Sequence, residues 1–292
     1  MSRIEKALEK AIQMRESTKT TYPEPGNNIE VRGPSSLPEF QIREIMIDPS
    51  AVDRHIVCIT DPLSSASEQY RKLRARILAA TKQDFHNTIM VASADVGEGK
   101  SITSINFAVA LAQEIDHTVL LVDADLRKPS IHRYLGIKAD RGLSDYLSGK
   151  VDLSDVLIHT GVGKLVLLPA GTPSRNPAEL LSSNRMYDLV QEMKHRYRDR
   201  YVIFDTSPVL VSADAISMSS HVDGVLFVIH AAKTPEKTVK KAIGLLQSAP
   251  IWGVVYNNVP DYLGKNLHPY YYYRYHQDTN QPTKTNNKDD KQ

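Results

Sequence analysis

The chain has 292 residues, 41% of them hydrophobic and 24% charged, enough apolar material for one large domain or two small ones. A formal net charge of +2 is too near balance to point to nucleic acid or a lipid surface as a partner. The lone cysteine, Cys58, excludes an internal disulfide; no run approaches the ~18 apolar residues of a membrane span, and Met1–Lys6 lacks the apolar core of a secretory signal.

Residues 2–16 read as a short amphipathic helix. Ser2 and Glu5 have capping-box spacing, and Ile4, Leu8 and Ile12 form an i, i+4 stripe that suits a docking partner. Residues 17–50 hold five prolines and little periodicity, and Thr18–Leu37 reads as a linker. Order is expected to begin near Arg54, with the apolar run Ile56–Ile59. A helix follows over 67–80, with Tyr70, Leu73 and Ile77 on one face and Glu68, Arg71 and Arg74 stepping along another.

From there short Val/Ile/Leu runs alternate with helical segments. The runs are Thr88–Ala92, Thr118–Val122, Leu165–Leu168, Tyr201–Phe204, Gly224–Ile229 and Gly253–Tyr256; the helical segments are 100–114, 142–149, 177–198, 212–220 and 235–248. That alternation predicts an α/β fold with a mostly parallel sheet covered by helices on both faces. Right-handed crossovers then gather the strand C-termini along one edge, where ligands bind. Residues 276–292 are polar and aperiodic and read as a flexible tail. Three segments result: 1–53, 54–265 and 266–292.

Three motifs sit at predicted strand ends. Ala94–Ser101 ends in Gly99-Lys100-Ser101 and fits the phosphate-loop pattern G-x-x-x-x-G-K-[ST] except at its first glycine, where Ala94 stands. Gly97, Glu98, Gly99, Lys100, Ser101 and Ile102 would line a nucleotide's phosphates, with Lys100 at the β/γ-phosphates and Ser101 on Mg²⁺. Leu120–Val122 runs into Asp123, with Asp125 and Arg127 two and four residues on. Such a carboxylate pair can hold a metal and orient or deprotonate an attacking hydroxyl. Tyr201–Phe204 runs into Asp205, a buried strand delivering one carboxylate to the metal. In this order the three specify a P-loop site for ATP and Mg²⁺. His132, His195, His221 and His268 are not spaced as metal ligands.

The motifs together resemble the cytoplasmic domain of the bacterial tyrosine kinases, autokinases that regulate capsule and exopolysaccharide export. The resemblance extends over Glu68-x-x-Arg71-x-x-Arg74, Pro169–Thr172, Asn176–Leu180, Gly253–Asn257 and a C-terminal tyrosine cluster; six of the 14 tyrosines lie in 262–275. Ile4–Lys10 looks like the variant encoded beside polysaccharide loci linked to PEP-CTERM sorting systems. Val96, Ile102 and Ser207 depart from the family pattern without removing a charged group. The resemblance implies protein-tyrosine kinase activity, with Asp123 acting on the attacking tyrosine and Asp125 and Asp205 completing the metal shell. It counts Lys100, Asp123, Asp125 and Arg127 as catalytic. It makes Tyr270, Tyr271, Tyr272, Tyr273 and Tyr275 the phosphoacceptors, and Glu68, Arg71 and Arg74 the subunit contact of a homo-oligomeric ring. The implied partners are a membrane chain-length-determinant (polysaccharide co-polymerase) protein and a cognate phosphatase, with no nucleic acid. The implied location is cytoplasmic, at the inner face of the plasma membrane through that partner.

Two other functions compete. A ParA/MinD-like regulatory ATPase would carry a lysine early in the loop, where this chain has Asp95. A non-enzymatic nucleotide-binding scaffold of an export complex would not need Lys100, Asp123, Asp125 and Asp205 all intact.

Overall fold

A computed structural model describes residues 43–82, 85–196 and 199–260. Its centre is an eight-stranded sheet made of β1 (Arg43–Glu44), β2 (Thr88–Ser93), β3 (Thr118–Asp123), β4 (Ile158–His159), β5 (Leu165–Leu168), β6 (Arg200–Asp205), β7 (Gly224–His230) and β8 (Ile251–Asn257). The order is β1-β4-β5-β3-β6-β2-β7-β8. Every pairing is parallel except β4 with β5.

Apolar residues face both ways because both faces are covered. On one face Met90, Leu120, Val122, Phe204 and Phe227 pack with residues of helices Leu143–Leu147, Pro177–Leu181, Asn184–Arg196, Asp214–Ser219 and Glu236–Leu245. On the other Ile89, Val91, Leu121, Ile203 and Val228 pack with helices Val57–Thr60, Ser65–Thr81 and Lys100–Ala112. Lys100–Ala112 is the most enclosed helix, with every residue from Thr103 to Ala112 buried. It packs across β2, β3 and β6, which holds its N-terminus beside the ends of those strands.

The six expected strands are present. The departures are local. The fold begins N-terminal of the expected boundary at residue 54: β1 pairs with β4, and Ile45 N–H donates to His159 O at 2.9 Å. The run at Ile56 forms the helix Val57–Thr60, whose Cys58 N–H donates to Asn106 Oδ1 at 2.9 Å. The single helix expected over 177–198 is two, because Ser183 Oγ accepts from Met186 N–H at 3.2 Å and caps a new start at Asn184. β4 is two residues long and reaches β5 through the five residues 160–164, a connection short enough for antiparallel pairing. The expected N-terminal helix, the linker and the tyrosine cluster lie outside the described residues.

Candidate active site

β3, β6 and β2 are neighbours, so the three motifs meet at one end of three adjacent strands. Register makes the meeting exact to the residue: Asp123 is the Cα partner of Asp205, and Asp205 is the partner of Val91, three residues before Ala94. Both aspartates are fully buried.

The loop after β2 closes on two left-handed glycines, Gly97 at φ 79° and Gly99 at φ 87°. Gly99 is the N-cap of Lys100–Ala112. A Cβ at Gly99 would come 1.9 Å from Asn257 Nδ2, which itself donates to Glu98 O at 3.0 Å. Backbone curvature and side-chain bulk thus both demand glycine there. Ala94 adopts no such conformation and is buried, so the missing first glycine leaves the cradle intact. Gly99→Ala is expected to lower stability by about 1–3 kcal/mol and to weaken nucleotide binding at least tenfold. Thermal unfolding and titration with a fluorescent ATP analogue measure the two effects.

Lys100 Nζ donates to Asp205 Oδ1 at 2.8 Å and to Ser101 Oγ at 3.3 Å. Ser104 Oγ donates to the same Asp205 oxygen at 2.9 Å. Asp205 Oδ2 is buried with no hydrogen-bond partner among the described residues. Asp123 Oδ2 accepts from the backbone N–H of Ser130 at 3.0 Å and Ile131 at 3.1 Å. Burial, then the charge of Asp205 beside it, push the Asp123 carboxyl up to about 7, against the pull of those two N–H groups and Lys100. Burial also raises Asp125, whose Oδ1 accepts from Lys128 N–H at 3.0 Å.

An orphaned carboxylate oxygen on Asp205, whose strand partner Asp123 is a second buried carboxylate, fits a divalent cation. Among the described residues no group of three or more His, Cys, Asp or Glu is arranged to hold a metal. Mg²⁺ takes one or two carboxylates and completes its shell with water and phosphate oxygens. The groups able to hold it are Asp205, Asp125 and the Ser101 hydroxyl.

Three predicted side chains are occupied otherwise. Glu98 is turned inward: it accepts from Asp95 N–H at 2.9 Å and from the Thr234 hydroxyl, bracing the loop, so only its backbone faces the cradle. Arg127 makes a two-pronged ion pair with buried Asp214, at 2.7 and 3.1 Å. Arg74 donates to Ala110 O at 2.9 Å and pairs with Glu114 at 2.9 Å, tying its helix to Lys100–Ala112. Arg71 pairs with Glu68 at 3.0 Å on the exposed side of the same helix. The phosphoacceptor tyrosines lie outside the described residues.

Ser104, Thr234 and Asp214 are not signalled by the sequence motifs, and Asn257 only as the end of the family-like run Gly253–Asn257. Ser104 was within reach, since it lies one helical turn from Lys100 on the same face. The others are 87 or more residues from the groups they serve, and no local pattern signals them.

Residues 84–270 match the ParA family model described as NUBPL iron-transfer P-loop NTPase. The chain is 39% identical to the tyrosine-protein kinase YwqD of Bacillus subtilis, over 66% of this chain and 80% of that protein. It is 33% identical to the tyrosine-protein kinase Etk of Escherichia coli over 70% of this chain, and spans 28% of that longer protein. The solved kinase domain of Etk superposes with a TM-score of 0.63 at 30% identity, over 70% of this chain and 82% of that one. The chimerical protein CapA2B2 superposes with a TM-score of 0.66 at 30% identity, over 75% of this chain and 94% of that one. Asp95, which sets the loop apart from the ParA/MinD signature, therefore marks a branch and not a different family. The chain belongs to the ParA-type P-loop NTPases and, among them, to the bacterial tyrosine-protein kinases.

Proposed function

We propose that the protein is an ATP-dependent autokinase that phosphorylates its C-terminal tyrosine cluster in trans and thereby regulates polymerisation and export of an exopolysaccharide or capsule. The observation that carries the reading is the pairing of Asp123 with Asp205 across β3 and β6, beside Lys100.

In the reaction the tyrosine phenol oxygen bonds to the γ-phosphorus of ATP, the bond from that phosphorus to the β–γ bridging oxygen breaks, and ADP leaves. The phenol proton goes to Asp123, whose raised pKa of about 7 makes its carboxylate a far better proton acceptor than an exposed aspartate at neutral pH. The Ser130 and Ile131 N–H groups hold Asp123 Oδ2 and the Asp125 N–H, at 3.2 Å, holds Oδ1, so the carboxylate keeps one orientation. Lys100 leaves or shares Asp205 to meet the β/γ-phosphates, and the loop N–H groups around Gly97–Ser101 cradle them. Mg²⁺, when held by Ser101, Asp125 and Asp205, supplies charge neutralisation on the phosphate oxygens. Arg127 serves by holding Asp214 and, with it, the segment that follows Asp205. Positioning and charge account for most of phosphoryl-transfer catalysis, so no covalent enzyme group is required.

Among the described residues no helix is long and apolar enough to cross a membrane. A membrane chain-length-determinant protein would bring this cytoplasmic enzyme to the inner face of the plasma membrane, with residues 2–16 as an additional docking helix. The exposed Glu68–Arg71 pair is the part of the expected subunit contact most available to a second copy in a ring; Arg74 would have to give up Glu114. A cognate phosphatase would reset the tail. Phosphates accumulating on adjacent tyrosines repel one another, which would loosen the oligomer.

Replacing all five tyrosines Tyr270–Tyr273 and Tyr275 by phenylalanine is expected to remove more than nine-tenths of the phosphate incorporated from ATP, with the melting temperature unchanged. Labelling that persisted at the wild-type level would place the acceptors elsewhere.

A further inference from the structure

Beside the carboxylate edge lies an open cleft of about 600 Å³. One wall is the segment that follows β3, with Lys128, His132 and Arg133; the other is the loop after β5, with Gly171 and Thr172; Asp140 also lines it. The size falls within the range of small-molecule and side-chain pockets.

The loop wall is rigid. Asp145 accepts from Thr172 N–H at 3.0 Å and from Gly142 N–H at 3.1 Å, and Ser144 Oγ donates to Thr172 O at 2.6 Å. The sequence resemblance singled out Pro169–Thr172, and nothing in phosphoryl transfer uses it. The facing wall is fastened to the reacting edge itself, since Ser130 N–H is the donor 3.0 Å from Asp123 Oδ2. Lys128 is two residues from Ser130, so its Cα lies within ~8 Å of that of Ser130. Among the described residues no carboxylate pairs with Lys128 or Arg133; Arg133 spends one nitrogen on Pro129 O at 2.9 Å and keeps the rest. The two permanent cations outnumber the one carboxylate, Asp140. An anion is the ligand this chemistry selects.

The tyrosine segment is not an anion before it reacts. Residues 266–278 contain one arginine and one aspartate as their permanent charges. Each phosphate then adds about −1.5 to −2. Consecutive tyrosines in extended chain are ~3.3 Å apart along the strand and alternate in direction, so tyrosines two apart are ~7 Å apart on one side.

We propose that this cleft binds a phosphotyrosine already formed on the acceptor segment, and so holds the segment while the tyrosine two residues away is offered to the Asp123 edge. The inference rests on the autokinase reading for the origin of the phosphate. It makes phosphorylation of the cluster processive, and gives the run of adjacent tyrosines a mechanical reason.

Binding is tested without ATP, on phosphatase-treated full-length protein, by fluorescence anisotropy of labelled peptide 266–278 with or without phosphate on Tyr272. The phosphopeptide is expected to bind about tenfold tighter or more than the plain peptide, as charge-assisted hydrogen bonds to lysine and arginine allow. Lys128→Ala with Arg133→Ala should erase the difference without changing thermal unfolding. Equal affinity of the two peptides, or a preference that survives the double substitution, would overturn the proposal. So would displacement by inorganic phosphate at the same concentration as phosphopeptide, which would mark a simple phosphate site. Because this arm uses no turnover, it can fail while wild-type protein still forms phosphotyrosine, and the reverse outcome would fail the autokinase reading alone. Where phosphotyrosine does form, tail mass spectra taken early in the reaction should show multiply phosphorylated chains beside unmodified ones in the wild type. In the double variant they should show a one-by-one ladder; the same ladder in the wild type would contradict the proposal.

Discussion

Lys100→Met is expected to lose both activity and stability. Lys100 is buried and, among the described residues, is the one cation on Asp205, which is fully buried. Removing one partner of a buried ion pair typically costs about 3–5 kcal/mol, because the other charge is left without compensation. Here the loss is compounded, since Lys100 also holds the Asp123 carboxyl down. The variant should therefore melt several degrees lower than wild type at pH 8, and the gap should narrow towards pH 5 as the stranded carboxylates take up protons. Phosphoryl transfer should fall by at least about 10²–10³-fold, the usual effect of removing a single preorganised group that stabilises transition-state charge. Melting curves at the two pH values and initial rates of phosphate incorporation measure these effects. A variant equally stable at pH 8 would mean that the Lys100–Asp205 contact contributes little.

Asp123→Asn is expected to separate stability from function in the opposite sense. The Asp123 carboxyl titrates at about 7 in the fold against an ordinary 3.8. Between those values the folded chain holds a proton that the unfolded chain has released. Folding is therefore favoured by this group at low pH, and the contribution is lost as pH rises from about 4 through about 7. Asparagine carries no charge at any pH. The variant should be more resistant to heat than wild type at pH 8, and its melting temperature should change less between pH 5 and pH 8. Its phosphotransfer rate should fall by at least about 10²-fold, the usual worth of a positioned base. A variant with the wild-type pH dependence of stability would assign that titration to another group.

The sheet was legible in the sequence because its strands are buried on both faces and read as unbroken Val/Ile/Leu runs between helical segments. The order of those strands was not. Nothing local places β6 between β3 and β2, yet that placement brings Asp205 opposite Asp123. The edge elements escaped for a different reason: Arg43–Glu44 and Ile158–His159 are two residues each, too short for any period to register. Within the site, Lys100 and Ser101 stood out because they open a helix, Asp123 and Asp205 because they end strands, and Asp125 because it follows Asp123 by two residues. What the sequence could not give was the use of each side chain. Glu98 and Arg127 look equally available in the motifs, but one braces the loop through Thr234 and the other is spent on Asp214. Arg74 likewise fits a family pattern while its guanidinium is engaged with Ala110 and Glu114 of its own chain. These bonds join residues 36 to 136 positions apart and exist only once the chain is folded.

The most direct test is phosphotyrosine detection with mass mapping of the tail, on purified full-length protein given ATP and Mg²⁺, beside Lys100→Met and Asp123→Asn. Phosphate on Tyr270–Tyr275 in the wild type, and on neither variant, is the predicted result. Hydrolysis of ATP with no phosphotyrosine on any chain, even with the cytoplasmic tail of the membrane partner added, would contradict it.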